Sequence, residues 1–177
     1  MKKILVVIDM QNDFIDGSLG TKEAQAIVQK VKDKISKYTG ANCTVFATRD
    51  THTENYLQTQ EGQNLPVKHC IKGTEGWQIN SIIAEELEKA NARIIDKPTF
   101  GSIELQQRIS ELSSIEQTKI ELVGLCTDIC VVSNALLLKA KMPEILISVD
   151  PSCCAGVTPE KHQAALETMR SCQISIL

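Results

Sequence analysis

The chain has few aromatic residues, little net charge and no long apolar run. Only 3% of its 177 residues are aromatic, so each Phe, Tyr or Trp near a candidate site is more informative than usual. A net charge of −3 gives no reason to expect nucleic acid or an anionic membrane surface as a partner. The first apolar run is interrupted at Asp9, too early for a signal-peptide core, and no stretch is long enough for a membrane span.

The seven cysteines do not form a disulfide or zinc-finger pattern. Their number is odd and no two of them have the CxxC spacing. A chain of this length also folds without covalent cross-links. We therefore expect a cytoplasmic protein with reduced thiols, most of which are small buried apolar groups.

Apolar, β-branched runs alternate with amphipathic helical segments along the whole chain. The predicted strands are Lys3–Ile8, Cys43–Thr48, Ala92–Ile95, Lys119–Leu125, Glu144–Val149 and Cys172–Leu177. The predicted helices are Thr21–Tyr38, Asn80–Ala90, Ile103–Leu112, Ile129–Lys139 and Pro159–Ser171. Continuous apolar strands separated by helices indicate a parallel sheet that is covered on both faces. The sequence thus predicts a single domain, residues 1–177, with a three-layer α/β/α fold around a six-stranded parallel sheet.

Chemically reactive side chains follow five of the predicted strands. In chain order they are Asp9, the pair Asp50 and His52, the pair Asp96 and Lys97, Cys130, and Asp150. The carboxyl ends of parallel strands lie at one edge of a sheet, where ligands of such folds bind. Any one of the carboxylates could merely cap a turn. The carboxylates, the histidine, the lysine and the cysteine together predict a reactive site at this edge.

Cys130 follows the fourth strand where a helix is predicted to begin. With Thr127 as the N-cap, Cys130 occupies the third helical position, where free N–H groups and the helix dipole stabilise a thiolate. The same N–H groups could bind an oxyanion. The alternative is a buried structural cysteine. Cys126 cannot share this environment and more readily offers its backbone N–H than a nucleophile.

Two of the three histidines lie in the long segment between Asp50 and Gln78. Asp50 and His52 are two residues apart on extended backbone, so their side chains share one face. His69 could complete a set of one carboxylate and two imidazoles, which suits Zn²⁺, Fe²⁺ or Mn²⁺. The alternative is a pair of polar loop histidines.

Five stretches together resemble the isochorismatase-like cysteine hydrolases, and among them the nicotinamidase branch. They are "ILVVIDMQNDF", "ATRDTH", "HCIKGTEG", "IIDKPTFGS" and "VGLCTDICVVSNA". The resemblance implies a catalytic triad of Asp9, Lys97 and Cys130. It also implies a cis peptide before Cys126, an oxyanion hole made by the Cys126 and Cys130 N–H groups, and a divalent metal, with zinc favoured, on Asp50, His52 and His69. The same resemblance implies a small-molecule amide as substrate and a homo-oligomer.

Members of the nicotinamidase branch usually have a Trp just before the metal-binding histidine, where this chain reads "LPVKHC". Phe14 fits the aromatic wall of that branch, and Phe100 or Trp77 could replace the missing ring. All three could equally be core residues.

The resemblance implies hydrolysis of nicotinamide to nicotinate and ammonia through a Cys130 thioester. Two alternatives stay open: an amidase of the same fold acting on another small amide or carbamoyl compound, and a non-catalytic binding or redox-responsive protein.

Overall fold

A computed structural model describes residues 1–38, 40–112 and 118–177. Its strands are β1 (Lys2–Ile8), β2 (Cys43–Asp50), β3 (Arg93–Lys97), β4 (Thr118–Leu125), β5 (Leu146–Ala155) and β6 (Ser175–Ile176). Its α-helices are α1 (Asn12–Ile15), α2 (Lys22–Ile35), α3 (Gln60–Asn64), α4 (Ser81–Lys89), α5 (Ile103–Leu112), α6 (Val132–Lys141) and α7 (Pro159–Ser171). A 3₁₀ turn (Tyr56–Gln58) precedes α3, and a π-helical turn (Thr127–Val131) precedes α6.

The strands form one six-stranded sheet in the order β3-β2-β1-β4-β5-β6, with all neighbours parallel. The α/β/α architecture predicted from the sequence is therefore confirmed. Because β1 and β4 are central and buried, they read as continuous apolar runs rather than as alternating ones.

The side chains of β1 alternate between two apolar layers, as the two-residue period of a strand requires. Ile4, Val6 and Ile8 pack under α5, α6 and α7, whereas Leu5 and Val7 pack under α2 and α4. All five side chains are at most 1% exposed. The helices thus cover both faces and leave the carboxyl edge of the sheet open to a ligand.

The strand and helix limits differ from the predicted ones mainly at β5. The strand continues past Val149 to Ala155, and its pairing with β4 is irregular between Leu122 and Gly124. An irregularity of this kind accommodates Pro151, which has no backbone N–H to donate to the hydrogen bonds between neighbouring strands. The predicted last strand, Cys172–Leu177, shortens to two residues because Cys172 is the C-cap of α7 and Gln173 then turns with a positive φ of 64°.

Because β5 continues, Asp150 lies inside the strand and not at the reactive edge, so this part of the prediction is wrong. Its carboxylate instead lies 2.7 Å from Lys34 Nζ on α2. The same ammonium lies 2.6 Å from Glu121 of β4, whose other oxygen accepts the Tyr38 hydroxyl at 2.6 Å. Within the described ranges, no helix is long and apolar enough to span a membrane.

Candidate functional site

A cavity of about 260 Å³ opens at the carboxyl edge of the sheet. It is lined by Phe14, Leu19, Thr21, Asp50, Glu61, Leu65, His69, Phe100, Leu125, Cys126, Ile129, Cys130, Gly156, Val157 and Lys161. The candidate nucleophile Cys130 and two of the candidate metal ligands, Asp50 and His69, therefore face one cavity, although they come from distant parts of the chain. An adjoining cavity is lined by His52 and shares Glu61, Leu65 and Phe100 with the first.

Lys97, at the end of β3, is the centre of this site and is completely buried. Its Nζ lies 2.7 Å from Asp9 Oδ2, 3.1 Å from Asp50 Oδ1 and 3.5 Å from Cys130 Sγ. It also donates to the Thr99 carbonyl at 3.0 Å. Burial by itself would lower the pKa of Lys97, but Asp9, Cys130 and Asp50 outweigh burial and raise it. The side chain is therefore an ammonium that contacts both candidate clusters.

Asp9 follows β1 directly, with a positive φ of 47° and no exposed surface. A non-glycine residue in this region is uncommon and is often found at functional sites. The Thr48 hydroxyl donates to Asp9 Oδ1 at 2.6 Å, and Oδ2 lies 2.7 Å from Lys97 Nζ. Burial raises the pKa of Asp9 against the opposing effect of Lys97, which makes its carboxylate a stronger base toward a thiol.

The Cys130 thiol is only 5% exposed, and its pKa departs from the sequence-based expectation. Burial and the Asp9 carboxylate raise the pKa of Cys130 well above 9.0, and the opposing effect of Lys97 is smaller. The sequence predicted a thiolate stabilised by the helix terminus. The direction of this shift instead favours a protonated thiol that needs a base, and Asp9, whose carboxylate contacts the same Lys97 ammonium, is the candidate base.

The turn that contains Cys130 also differs from the predicted helix start. Cys126, with φ −88° and ψ 146°, occupies the N-cap position, and Thr127 already lies inside the π-helical turn. The Thr127 hydroxyl does not cap the helix but pairs with His162 Nδ1 at 2.8 Å. The expected N-cap role of Thr127 is therefore wrong, and Cys130 is the fourth residue of the turn rather than the third.

The backbone around Cys126 has two unusual features. The Leu125–Cys126 peptide is cis, as the resemblance implied. Gly124 has a φ of 118°, and a Cβ at this position would lie 2.1 Å from the Ile8 carbonyl oxygen. Glycine is therefore required here, because β1 and β4 approach each other closely just before the turn.

The three predicted metal ligands lie together on the side of the cavity nearest β2. His52 Nε2 and His69 Nε2 lie 3.0 Å and 3.7 Å from Asp50 Oδ2. His69 Nδ1 lies 2.8 Å from the Val67 carbonyl, which accepts a hydrogen bond from Nδ1, so Nε2 is the ring nitrogen that faces the cluster as a ligand atom. Gln11 holds the Asp50 backbone, accepting from Asp50 N at 2.7 Å and donating to Asp50 O at 2.8 Å.

Glu61 of α3 joins this cluster and was missed from the sequence. Its Oε1 lies 3.5 Å from His52 Nε2 and 3.9 Å from His69 Nε2, and one ligand atom from each of the four residues lies within 4.8 Å of the others. Burial and the neighbouring Asp50 charge raise the pKa of Glu61, a repulsion that a bound cation would relieve. Two carboxylates and two imidazoles fit a divalent metal such as zinc. No local pattern distinguishes Glu61 from the other acids of its segment, because only the fold of the segment brings it to His52.

The candidate substrate-binding aromatics separate into two groups. Phe14 lines the cavity with its ring centroid 5.5 Å from that of His69, and Phe100 lines both cavities while 44% exposed. Trp77 lines neither of them: its indole N–H donates to Thr51 Oγ1 at 2.9 Å, and Arg49 stacks on its ring at 3.9 Å. Leu65, from the "LPVKHC" stretch, lines the cavity instead.

Comparison with known proteins agrees with this geometry. The model of the isochorismatase domain matches residues 3–177, almost the whole chain. This chain belongs to the isochorismatase family. The family resemblance drawn from the sequence motifs is thereby confirmed.

Several isochorismatase-family relatives and solved structures match over nearly their full lengths. An uncharacterized isochorismatase family protein PncA of Bacillus subtilis is 29% identical over 94% of this chain and 93% of its own length. A zinc-bound pyrazinamidase of Pyrococcus horikoshii is 28% identical, with a TM-score of 0.82 over 100% of this chain and 99% of the other. A pyrazinamidase/nicotinamidase of Streptococcus mutans is also 28% identical, with a TM-score of 0.86 over 99% and 100% of the two chains.

Proposed function

We propose that this protein is a metal-binding cysteine amidohydrolase that converts nicotinamide to nicotinate and ammonia. The main observation is that one buried ammonium, Lys97, contacts Asp9, Cys130 and the metal-site carboxylate Asp50. This arrangement supplies a nucleophile, a base and a cation beside a substrate-sized cavity. The similarity to solved pyrazinamidase/nicotinamidases supports the choice of substrate.

In the proposed first half-reaction, Asp9 accepts the Cys130 proton and the sulfur adds to the amide carbonyl carbon. The negative oxygen formed in this step is stabilised by the N–H groups of Cys126 and Cys130 and by the Lys97 ammonium. Asp9 then returns its proton to the amide nitrogen. The C–N bond breaks, ammonia leaves, and a thioester to Cys130 remains.

In the second half-reaction, Asp9 removes a proton from water as the water oxygen attacks the thioester carbonyl. The C–S bond breaks, the proton on Asp9 returns to the Cys130 sulfur, and the acid that forms loses its remaining proton to solvent and is released as nicotinate. Proton transfer in both halves thus uses one carboxylate, which suits the raised pKa of Asp9.

We further propose that Asp50, Glu61, His52 and His69 hold one divalent ion, with zinc favoured and iron or manganese compatible. A metal bound there supplies a Lewis-acidic position that orients a substrate nitrogen. Phe14 and Phe100 line the cavity, which supports our assignment of both as contacts of an aromatic substrate ring. A single domain over residues 1–177, a cytoplasmic location and a homo-oligomeric state remain our predictions.

The test is ammonia release from nicotinamide by metal-replete protein. We expect Cys130→Ala to lower kcat by at least roughly a thousandfold, because it removes the nucleophile. Cys126→Ala is the matched control: it removes the second thiol of the cavity but keeps the backbone N–H, so activity is expected to persist. Equal losses in the two variants would contradict the assignment of Cys130.

If the protein releases no ammonia from nicotinamide while Cys130 still reacts with iodoacetamide, then nicotinamide is not the substrate. Other small amides and carbamoyl compounds would then be tested against the same pair of variants. Hydrolysis of one of these compounds would establish the alternative, an amidase that uses the same site for another substrate. A protein with neither turnover nor a reactive Cys130 would support the non-catalytic alternative.

A further inference from the structure

The turn that contains Cys130 is attached to α7, a helix that supplies none of the proposed catalytic or metal-binding groups. Thr127, which directly follows Cys126, has no exposed surface, and its hydroxyl oxygen lies 2.8 Å from His162 Nδ1 on α7. Asp128 Oδ1 accepts the Val157 N–H at 2.9 Å, just before the helix. Two consecutive residues of the turn are thus hydrogen-bonded to the segment at and before α7.

Close packing leaves this junction little freedom to shift. A Cβ added at Gly156 would lie 2.8 Å from His162 N and 2.9 Å from Asp128 Oδ1, so glycine is the residue that permits the approach. The α7 N-terminus is itself fixed, because the Thr158 hydroxyl accepts the Lys161 N–H at 3.3 Å. His162 therefore projects from a rigid first turn of a 13-residue helix.

Thr127 lies in the chain between the two residues whose N–H groups are the proposed oxyanion donors. Thr127 is one residue after Cys126 and three before Cys130, so a rotation of its backbone moves both N–H groups. Donors of this kind stabilise a transition state only when they are correctly placed, and a displacement near 1 Å is costly. Burial lowers the pKa of His162 against the opposing effect of Asp128, which favours a neutral imidazole, and a neutral imidazole can share one proton with the Thr127 hydroxyl.

We propose that His162 is a positioning residue that sets the orientation of the nucleophile turn through its Nδ1 contact with Thr127. This inference rests on the proposed function, since the N–H groups in question are those of the proposed oxyanion hole. His162 contacts neither substrate nor reacting atoms in this scheme. Its effect is confined to the chemical step.

The experiment compares side chains that differ in where a polar atom is placed. Asparagine places an amide group close to the position of Nδ1, glutamine places it near Nε2, and leucine offers none. We expect His162→Asn to keep kcat within about threefold of the wild type, and His162→Gln and His162→Leu to lower it about ten- to a hundredfold. KM and metal content should stay within about twofold in all three, because the loss is in the transition state alone.

Thr127→Val removes the same hydrogen bond from the other side and should match His162→Leu. The double variant should be no worse than either single variant, because residues that act through one contact are not additive. Additive losses, or a wild-type kcat for His162→Leu, would overturn the proposal. A parallel rise in KM and loss of metal would also overturn it, because those changes indicate general unfolding of the site.

A second readout keeps this test separate from the proposed substrate. The rate of Cys130 alkylation by iodoacetamide, measured by mass spectrometry, reports the position of the turn without any turnover of nicotinamide. We expect Cys130 to be alkylated faster in the wild type and in His162→Asn than in His162→Gln and His162→Leu. If nicotinamide is not hydrolysed but this order is found, the substrate is wrong and the positioning role stands. Equal alkylation rates in all variants would refute the positioning role.

Discussion

Lys97 Nζ lies 3.1 Å from Asp50 Oδ1, so one buried ammonium links the candidate triad to the candidate metal site. The nearby Asp9 carboxylate, 2.7 Å from the same nitrogen, is completely buried. Two carboxylates in an apolar interior depend on this cation, because removing one partner of a buried pair leaves an uncompensated charge. The two clusters are therefore electrostatically coupled.

Lys97→Met is expected to lower the free energy of unfolding by about 3–5 kcal/mol and to abolish turnover. The check is urea unfolding together with kcat per folded molecule. Lys34→Met is the matched control, since Lys34 also pairs with two carboxylates but is 19% exposed and lines neither cavity of the site. It should destabilise the protein less and leave kcat unchanged. A Lys97→Met protein as stable as the wild type would refute the coupling.

Glu61→Gln is expected to weaken zinc binding about tenfold or more while leaving the fold intact. The variant keeps the shape of the side chain but removes one of two negative charges around the ion. Zinc titration of the metal-free protein against a competing chelator measures the change. Glu54→Gln is the control, because Glu54 is an exposed acid of the same segment paired with Lys68. Equal affinities for the two variants would remove Glu61 from the ligand set.

Phe100→Ala is expected to raise KM for nicotinamide about tenfold, because it removes apolar area from the cavity wall. Trp77→Phe should leave KM unchanged and lower the free energy of unfolding by about 1 kcal/mol, the net value of the lost hydrogen bond to Thr51. Steady-state kinetics and thermal unfolding of both variants test this. A raised KM in Trp77→Phe would show that the indole contacts the substrate after all.

Asp150→Asn is expected to change how stability depends on pH. Partial burial disfavours ionisation of Asp150, but Lys34 and Ser152 outweigh it and hold the pKa of this carboxyl below 3.8. Because the folded-state pKa is lowered, the stabilisation is fully present above the unfolded pKa of about 3.9 and is lost as pH falls through the folded value.

The difference in unfolding free energy between wild type and Asp150→Asn should therefore be constant from about pH 7 to 5 and shrink below about pH 4. Asp16→Asn, at an exposed position, serves as the control and should give a small difference throughout. A difference for Asp150→Asn that does not change between neutral and acid pH would contradict the ion pair with Lys34.

Local sequence patterns were sufficient to predict the architecture and most of the residues of the candidate site. The β-branched runs define buried parallel strands, and parallel strands necessarily bring their carboxyl ends to one edge. Asp9, Lys97 and Cys130 could thus be grouped from strand order alone. Asp50 and His52 follow from the two-residue period of extended backbone, and the close contact at 3.0 Å agrees with it.

Only the tertiary structure decided those contacts and pKa values that depend on long-range packing and on the exclusion of water from buried side chains. Glu61 reaches His52, and Trp77 is kept from the cavity, because of how the segment after β2 folds over the sheet. Asp150 is kept from the edge by the irregular pairing of β5. Burial and Asp9 raise the pKa of the Cys130 thiol and outweigh Lys97, which favours the protonated thiol. Thus the sequence by itself determined that the residues at the strand ends, Asp9, Lys97 and Cys130 among them, share one edge of the sheet, since strand periodicity is local. Their contacts and protonation were decided by the tertiary structure, since both depend on groups distant in the chain.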